Sequence, residues 1–375
     1  MIVFPFRRAS GEMKVNEAET MKKIILIPGD GIGPEIVAAA RRVLDKAAAK
    51  QKINFEFVEK CAGGAALDKF GLPLPADTVT ACAEADAALL GAVGGPKWDD
   101  VPPELRAEKA ILGLRKEMGL YINLRPVRVQ PALADNSPLK AENVVGADLL
   151  IVRELTGGIY FGKRREAFID GETIERAWDM EEYSAPEIER VVRYALRAAL
   201  SRKKKVTSVD KSNVLASSRL WRKIAARAAL DFPGARLENM YVDNCAMQLI
   251  LNPKAFDVIV TSNLFGDILS DEAAVITGSI GMLPSASVGE GPGLFEPIHG
   301  SAPDIAGLGI ANPLGAILSA AMLLRFSLRE EAAAAAIEGA VDKVLAMGYR
   351  TADLYGAGFT KVTTEQMSAL VEKEL

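Results

Sequence analysis

Two aspartates that lie four residues apart are the first groups in this chain with an evident chemical use. Asp267 and Asp271 belong to the segment NLFGDILSDEAA, residues 263–274, which follows the apolar β-branched run DVIVTS. The run predicts a buried strand and the segment predicts a helix. We expect four apolar residues to form its inward side: Ile268, Leu269, Ala273 and Ala274. On one helix face the two carboxylates repel each other by about 0.2–0.5 kcal/mol unless a cation lies between them.

A divalent metal ion is one cation that would turn this repulsion into a binding site. Mg²⁺ and Mn²⁺ prefer hard oxygen ligands, and they commonly take one or two protein carboxylates while water or substrate completes the shell. A solvated helix face would explain the same spacing, because acidic pairs at this interval are common on exposed helices. From these residues alone both interpretations stay open.

Composition restricts the class of protein. A chain of 375 residues predicts about two domains. Its net charge of −4 indicates no broad positive field for nucleic acid or an anionic membrane. Cys61, Cys82 and Cys245 lack CxxC spacing, which favours a reducing compartment, with the cytoplasm as the default. The apolar stretch 310–326 is interrupted by polar residues, proline and glycine, and it predicts a packed core helix rather than a membrane span.

The N-terminal part predicts an α/β fold behind a loose extension. Residues 1–20 lack periodicity and carry three glutamates, which favours neither a secretory signal nor a transit peptide. From Lys22 the chain reads as strand, glycine turn and helix, and this alternation predicts a mostly parallel sheet. The turn has the spacing G-x-G-x-G and misses the G-x-G-x-x-G fingerprint, so a classical Rossmann domain is not predicted. The turn is either a tight bend that needs glycine or a backbone ledge under a cofactor.

Later segments add candidate positions without deciding their roles. The strand KKVTSVDK ends at Lys211, and Asp243 lies at the end of a short strand or the start of a helix. Residues 162–183 alternate charged and apolar groups with no buried face, which predicts an extended hairpin that packs on a partner subunit. The single histidine, His299, excludes a histidine-rich zinc cluster, so proton transfer falls to Lys, Tyr or Asp.

Eight motifs, in order, closely resemble the β-decarboxylating isocitrate/isopropylmalate dehydrogenase family, and most of all its 3-isopropylmalate branch. They are GDGIGPE at 29–35, GGPKW at 94–98, LRKE at 114–117, NLRPV at 123–127, VRELTGGIYFG at 152–162, DKSNVL at 210–215, FGDILSDEA at 265–273 and EPIHGSAPDIAGLGIANP at 296–313. The resemblance covers nearly everything after residue 21. Eight motifs in one order leave little room for chance.

The resemblance implies a two-domain subunit with the fold of that family. A discontinuous cofactor-binding domain would combine residues 21–120 with 278–375, and residues 121–277 would insert as a substrate and dimerisation domain. The charged hairpin, at about 157–183, would be an intersubunit arm. It also implies a homodimer whose active site is shared, so that Lys211 and Asp243 would come from the other subunit than Asp267 and Asp271.

The implied reaction is the NAD-dependent oxidative decarboxylation of 3-isopropylmalate to 4-methyl-2-oxopentanoate and CO₂, a step of leucine biosynthesis. In the family pattern Arg115, Arg125 and Arg153 would bind the two substrate carboxylates. Lys211 would accept the hydroxyl proton and Tyr160 would protonate the product enolate. The remaining substrate contacts and the ligands of Mg²⁺ or Mn²⁺ would come from two further groups: Asp243, Glu108, Ile111 and Leu112 for the substrate, and Asp243, Asp267 and Asp271 for the metal.

Cofactor choice is also implied by the resemblance. Asp304 would accept hydrogen bonds from a ribose diol and repel a 2′-phosphate, which favours NAD over NADP. The other positions that match the family's cofactor site are Ile32, His299, Gly300, Ser301, Ala302, Ala311 and Asn312. The apolar Ile111 and Leu112 would suit an isopropyl group, because each buried CH₂ is worth about 0.8 kcal/mol.

Two alternatives remain at this stage. The chain could be a related decarboxylating dehydrogenase for D-malate, tartrate or homoisocitrate, or a non-catalytic homologue that keeps the fold and binds metal without turnover. Activity on a panel of substrates separates the first, and substrate binding without NADH formation would support the second. Neither alternative involves nucleic acid or a membrane.

Overall fold

The structure is a computed structural model that describes residues 21–170 and 174–375. The predicted extension at residues 1–20 lies outside the described residues, and so do residues 171–173 of the predicted arm. Among the described residues, no helix is both long enough and apolar enough to cross a bilayer.

Strands and helices alternate along most of the chain, as the sequence predicted. The strands are β1 Lys22–Gly29, β2 Phe55–Glu59, β3 Ala87–Ala92, β4 Leu120–Arg128, β5 Asp148–Glu154, β6 Arg164–Asp170, β7 Ile174–Asp179, β8 Lys205–Asp210, β9 Arg236–Tyr241, β10 Val258–Thr261, β11 Pro284–Gly289, β12 Gly293–Pro297, β13 Tyr349–Arg350 and β14 Thr360–Lys361. The helices are α1 Gly33–Gln51, α2 Gly64–Phe70, α3 Ala76–Glu84, α4 Lys109–Glu117, α5 Ala141–Val144, α6 Ala185–Leu200, α7 Ala216–Ala229, α8 Val242–Leu251, α9 Asn263–Ile276, α10 Leu314–Leu323, α11 Glu331–Ala346 and α12 Thr364–Glu374.

The described chain divides into two compact units. The terminal unit contains residues 21–120, 128–146 and 274–375, and the central unit contains residues 121–127 and 147–273. The sequence had placed residues 128–146 and 274–277 in the inserted domain, but they belong to the terminal unit. The reason is long-range bonding within that unit: the Arg350 guanidinium donates to the carbonyl of Ala132 at 2.7 Å, and the Asn136 amide donates to the carbonyl of Leu354 at 2.9 Å.

The terminal unit has the strand order β2-β1-β3-β12-β11. The pairs β1–β2, β1–β3 and β3–β12 are parallel, and β11–β12 is antiparallel. Strand β3 is buried along its whole length, as expected for a central strand covered on both faces. Helix α10 is buried on nearly all sides, which agrees with the packed core helix that the sequence predicted there.

The central unit has the strand order β4-β5-β10-β8-β9, in which the β5–β10, β10–β8 and β8–β9 pairs are parallel. The fold class, α/β with mostly parallel sheet, is therefore confirmed. Strands β6 and β7 form a separate antiparallel pair. Helix α6 begins at a capping box, in which the Ser184 amide donates to the Glu187 carboxylate at 2.7 Å.

Backbone hydrogen bonds, within the turn and to two other segments, close the glycine turn between β1 and α1. Gly29 and Gly31 both have positive φ, at 73° and 58°. The amides of Asp30, Ile32 and Gly33 donate to the carbonyls of Ala92, Ser301 and Asp30 at 2.7, 2.8 and 2.9 Å. The buried Asp30 carboxylate accepts three further amides, from Gly64, Ala65 and Gly94 at 2.7–2.8 Å. The tight-bend interpretation of this turn is thus sufficient to explain its glycines.

Gly31→Ala should destabilise the protein more than Gly71→Ala, because only at position 31 does the added Cβ clash with another atom as well as straining the backbone. A Cβ at Gly31 would lie 1.9 Å from the Ser301 carbonyl oxygen, so we expect a loss of about 3 kcal/mol or more in the free energy of unfolding. Gly71→Ala is the matched control: its φ is 75°, nothing lies within 4 Å of the added Cβ, and the expected loss is about 1–2 kcal/mol. Urea unfolding measures both losses, and equal losses would contradict the close approach at Gly31.

Candidate active site

The candidate active site of the central unit forms where neighbouring strands end. In the β5–β10 ladder Arg153 is paired with Thr261, so the end of β10 and the start of α9 lie beside Arg153. The carboxyl ends of parallel strands commonly hold ligand sites in open α/β sheets. Strand β4 contributes Arg125, and α9 contributes Asp267 and Asp271.

A guanidinium group lies between the two aspartates. Arg125 donates from Nη1 to Asp271 at 3.0 Å and from Nη2 to Asp267 at 3.4 Å. Arg153 donates from Nη1 to the same Asp267 oxygen. Both arginines are buried, with exposed fractions of 8% for Arg125 and 2% for Arg153. The cation that the spacing of the aspartates calls for is therefore supplied, in this chain, by arginine.

The electrostatics of the pair follow from this arrangement. Burial raises the pKa of Asp271 above its ordinary value; the positive charge of Arg125 opposes that shift, and the negative charge of Asp267 adds to it. The Asp271 side chain keeps 59% of its surface exposed, whereas that of Asp267 keeps 31%. Asp271 is thus the more open of the two carboxylates on this face of α9.

Tyr160 completes this cluster. It lies on the 3-10 turn Gly158–Tyr160, and its hydroxyl donates to the second carboxylate oxygen of Asp267 at 2.7 Å. Burial and this hydrogen bond raise its pKa to about 12. The phenol therefore stays protonated at neutral pH and can act as a proton donor. The structure brings together five predicted residues: Arg125, Arg153, Tyr160, Asp267 and Asp271.

One packing prediction for α9 is wrong. Ile268 was expected on the inward side, but 59% of its surface is exposed, whereas Leu269, Ala273 and Ala274 are buried. The helix carries apolar residues on more than one side, so helical spacing could not decide which side faces the core. Gly266 lies on the inward side, and a Cβ there would lie 2.7 Å from Cγ of Arg153. The stem of Arg153 therefore needs glycine at this position.

Two asparagines behind the arginines were not singled out as site residues from the sequence. Asn123 accepts from Nε of Arg125 at 2.8 Å, and Asn263 accepts from Nε and Nη2 of Arg153 at 2.9 and 2.7 Å. A signal was present: Asn123 lies two residues from Arg125 on one strand face, and Asn263 lies four residues before Asp267 on one helix face.

Lys211 and Asp243 form a second charged pair in the central unit. Asp243 lies in the first turn of α8, so it starts a helix rather than ending a strand. Lys211 follows the last residue of β8, and its Nζ lies 3.0 Å from Asp243 Oδ1. The hydrogen bond from Lys211 holds the pKa of the Asp243 carboxyl below its ordinary value. No group of three Asp, Glu, His or Cys that could hold a metal occurs within residues 21–170 and 174–375.

The residue types nonetheless fit a hard divalent ion. Asp267 and Asp271 present carboxylate oxygens on one face of α9, and both oxygens of Asp267 are already drawn to groups with positive charge or a donated proton. Mg²⁺ accepts one or two such ligands and leaves other positions to water and substrate. Asp243, the third predicted ligand, belongs to the separate charged pair with Lys211.

In the terminal unit, α4 carries the other predicted substrate residues. Arg115 is buried and donates to Glu296 at 2.9 Å, and its Nε is buried without a hydrogen-bond partner. Ile111 and Leu112 are half-buried on the same helix. An ideal Cβ on Gly94 would lie 2.5 Å from the Glu108 carboxylate, so Glu108 packs directly against that glycine.

The predicted cofactor residues lie in or beside the loop that follows β12. Asp304 is exposed, and Gly300 is exposed with open space around it. Ser301 is buried and donates to the Gly94 carbonyl at 2.7 Å. Ala302 has φ +38°, a backbone conformation that favours glycine.

Three other predicted cofactor positions already have structural partners. Ile32 is buried and donates its amide to Ser301. Ala311 is buried, and its carbonyl accepts from the Thr364 hydroxyl at 2.6 Å. Asn312 caps α10 through Leu314 N at 3.0 Å and donates to Asp353 at 2.9 Å.

His299 differs from the other cofactor positions because it keeps an unused polar atom. Its Nδ1 lies 3.0 Å from the Gly300 carbonyl, and its Nε2 is buried without a partner. Burial lowers its pKa, so the ring is neutral at pH 7.

Known proteins with this sequence pattern are numerous. A family profile described as isocitrate/isopropylmalate dehydrogenase matches residues 23–371. The chain is 56% identical over 355 residues to a 3-isopropylmalate dehydrogenase from Clostridium acetobutylicum, covering 94% of this chain and 99% of the relative. It is 57% identical over 357 residues to a protein of the same name from Moorella thermoacetica, covering 95% and 99%.

A solved structure extends the comparison to the fold. The crystal structure of isocitrate dehydrogenase from Methylococcus capsulatus aligns with a TM-score of 0.84 and 36% identity, over 94% of this chain and 99% of that chain.

Thiol labelling checks the burial of α8 beside Asp243. Iodoacetamide at mildly alkaline pH should modify Cys61 alone in the native protein, because Cys82 and Cys245 are fully buried and burial raises the pKa of each thiol to about 12. The reactive thiolate is then nearly absent at both positions. Intact-mass spectrometry should count one adduct before and three after denaturation. Rapid native labelling of Cys245 would contradict this packing.

Proposed function

The chain belongs to the isocitrate/isopropylmalate dehydrogenase family of oxidoreductases, and we propose that it catalyses the NAD-dependent, divalent-metal-dependent oxidative decarboxylation of 3-isopropylmalate. The products are 4-methyl-2-oxopentanoate and CO₂, in leucine biosynthesis. One observation carries the proposal: relatives more than half identical to this chain are named 3-isopropylmalate dehydrogenase, and the chain gathers five predicted site residues in one cluster. These residues are Arg125, Arg153, Tyr160, Asp267 and Asp271.

The arginines supply the binding groups for an anionic substrate. Arg125 and Arg153 each direct a terminal nitrogen towards a carboxylate in the described structure. Planar guanidinium groups match carboxylates in two-bonded geometry and stay charged at every working pH. In the proposed complex they bind substrate carboxylates, and Arg115 adds a third guanidinium.

Asp267 and Asp271 are the ligands that we propose for Mg²⁺ or Mn²⁺, and Asp243 of the partner subunit completes the set. When bound, the ion polarises the substrate oxygens and lowers the pKa of the hydroxyl group. The chain's own part is to present carboxylates at fixed spacing on α9.

Two side chains move protons in the proposed reaction. Lys211, which contacts Asp243 at 3.0 Å, accepts the hydroxyl proton in its neutral amine form, directly or through water or an Asp, as the carbinol is oxidised. Tyr160, with a pKa raised to about 12, remains a phenol and donates its proton to carbon after CO₂ has left. NAD supplies the hydride acceptor. Asp304, which is exposed in the loop after β12, is the residue that we propose accepts hydrogen bonds from the ribose diol and repels a 2′-phosphate.

A homodimer is part of the proposal, and exposed apolar residues support it. Met247 and Leu251, four residues apart on α8, expose 55% and 65% of their surface, and Ile268 on α9 exposes 59%. Trp178 and Met180, at the end of the β6–β7 arm, expose 43% and 42%. Helix faces of this kind are typical of subunit interfaces. The three free cysteines agree with a reducing compartment, for which we propose the cytoplasm.

Substrate choice rests on α4. The half-buried Ile111 and Leu112 offer hydrocarbon where a substrate with a third carboxylate would need a positive or polar group. This favours 3-isopropylmalate over isocitrate and homoisocitrate. Against malate, which lacks the isopropyl group, the advantage comes from burial of about three carbon atoms at about 0.8 kcal/mol each.

The direct test of function is NADH production from a panel of hydroxy acids. We expect turnover of 3-isopropylmalate with Mg²⁺ and NAD, at least tenfold lower kcat/KM for D-malate, tartrate and homoisocitrate, and loss of activity when EDTA removes the metal. Re-addition of Mn²⁺ or Mg²⁺ should restore the rate. Full activity in excess EDTA, or preference for another acid, would overturn the proposal.

Asp267→Asn should abolish turnover while leaving the fold largely intact. Loss of a charged ligand removes several kcal/mol of transition-state stabilisation, so kcat should fall by about 1,000-fold. The amide oxygen can still accept from Arg153, so we expect the variant to fold, with an unfolding midpoint lowered by about 5–10 °C because a buried guanidinium loses its anionic partner. Asp100→Asn, at an exposed position, is the control that removes the same charge. A near-wild-type rate for Asp267→Asn would refute the ligand assignment.

A further inference from the structure

Each arginine of the central cluster is held from behind by an uncharged oxygen. The amide oxygen of Asn123 accepts from Nε of Arg125 at 2.8 Å. The amide oxygen of Asn263 accepts from Nε and Nη2 of Arg153 at 2.9 and 2.7 Å. Both asparagines are fully buried, with 0% of their surface exposed. These hydrogen bonds fix one edge of each guanidinium and leave the other terminal nitrogens to Asp267 and Asp271.

Asn263 is itself locked in one orientation. Its amide nitrogen donates to the carbonyls of Leu155 and Gly157, both at 3.2 Å, so its oxygen must face Arg153. Its backbone amide donates to the Tyr183 hydroxyl at 2.8 Å, and that hydroxyl is hydrogen-bonded to the buried Glu154 carboxylate. An aspartate at 263 would place a carboxylate oxygen against two carbonyl oxygens. The geometry at this position therefore requires an amide.

The neutral acceptor has an electrostatic consequence. A carboxylate at either position would add a fixed negative charge behind an arginine that already contacts an aspartate in front, and it would weaken the attraction of that arginine for a substrate anion. An amide oxygen makes comparable hydrogen bonds but leaves the unit positive charge in place. In a buried setting that charge attracts an anion more strongly than it would in water.

We propose that Asn123 and Asn263 are positioning residues that orient Arg125 and Arg153 as neutral acceptors, so that both arginines keep their charge for the dianionic substrate. The inference deepens the proposed function and rests on it. Two effects combine: the hydrogen bond sets the direction of the guanidinium, and the absence of charge on the acceptor preserves its attraction for carboxylates.

Paired substitutions separate these effects. Ala at 123 or 263 removes the hydrogen bond without adding charge, whereas Asp keeps an acceptor and adds a negative charge. Asn252→Asp, at an exposed position after α8, controls for the charge change alone. Titration calorimetry with Mg²⁺ measures the affinity for the substrate 3-isopropylmalate, and steady-state kinetics with NAD measure kcat and the two KM values. Wild-type turnover tests the proposed function separately from the variant-to-wild-type ratios.

We expect the Ala variants to weaken substrate binding by about tenfold, and the Asp variants by about tenfold to a hundredfold, with the KM for NAD changed less than about twofold. Asn252→Asp should bind like the wild type. Asp variants that bind like the wild type, beside Ala variants that do not, would show that only the hydrogen bond matters and would overturn the neutral-acceptor role.

The Asp substitutions at these buried positions risk loss of folding, so the Ala variants test the positioning role independently. Circular dichroism and the unfolding midpoint establish which variants fold. If only the Ala variants fold, a higher KM for the hydroxy acid at an unchanged KM for NAD supports positioning. An equal rise in both KM values, or no change in either, refutes it.

Discussion

The central unit depends on one like-charge pair that an arginine holds together. Asp267 and Asp271 would repel each other on one face of α9, and Arg125 donates to both. Arg125 depends on the aspartates in turn, because a buried guanidinium without anionic partners would destabilise the fold far more than the repulsion between the aspartates does. Arg153 and Tyr160 join through Asp267, so strands β4 and β5, the 3-10 turn and helix α9 all meet at a single carboxylate.

This arrangement suits a reaction in which ions exchange partners. Under the proposed function a substrate dianion and a divalent cation arrive at a cluster that already contains two arginines and two aspartates. The arginines can exchange aspartate for substrate carboxylate while the aspartates exchange arginine for metal, so the net charge of the buried region stays constant. A constant net charge limits the desolvation penalty of binding, which is otherwise large for ions leaving water.

Much of the fold and the composition of the cluster could be predicted from the chain alone. The alternation of strand and helix was sufficient for the fold class, and the eight motifs for the family, both of which are confirmed. The roles assigned to the site residues, and to the two domains, stay predictions. Helical spacing placed Asp267 and Asp271 on one face correctly but could not choose the buried side of α9, because Ile268 is as apolar as Leu269.

Contacts between distant segments explain what sequence reasoning missed. Residues 128–146 join the terminal unit through bonds such as Arg350 to Ala132, which are 218 residues apart and leave no local pattern. Asn263 acts on Arg153 across 110 residues, and Asn123 looked like one polar residue in a strand. Such roles depend on which atoms meet, and neither residue type nor spacing specifies that.

The closed glycine turn after β1 has a consequence for dinucleotide recognition. In nucleotide-binding turns of the Rossmann kind, backbone N–H groups near the helix start point at the pyrophosphate. Here the amides of Asp30, Ile32 and Gly33 are already bonded to main-chain carbonyls. Under the proposed function these three amides would therefore not bind the diphosphate of the cofactor, and the turn would differ in its hydrogen bonding from a Rossmann turn that it resembles in its glycines.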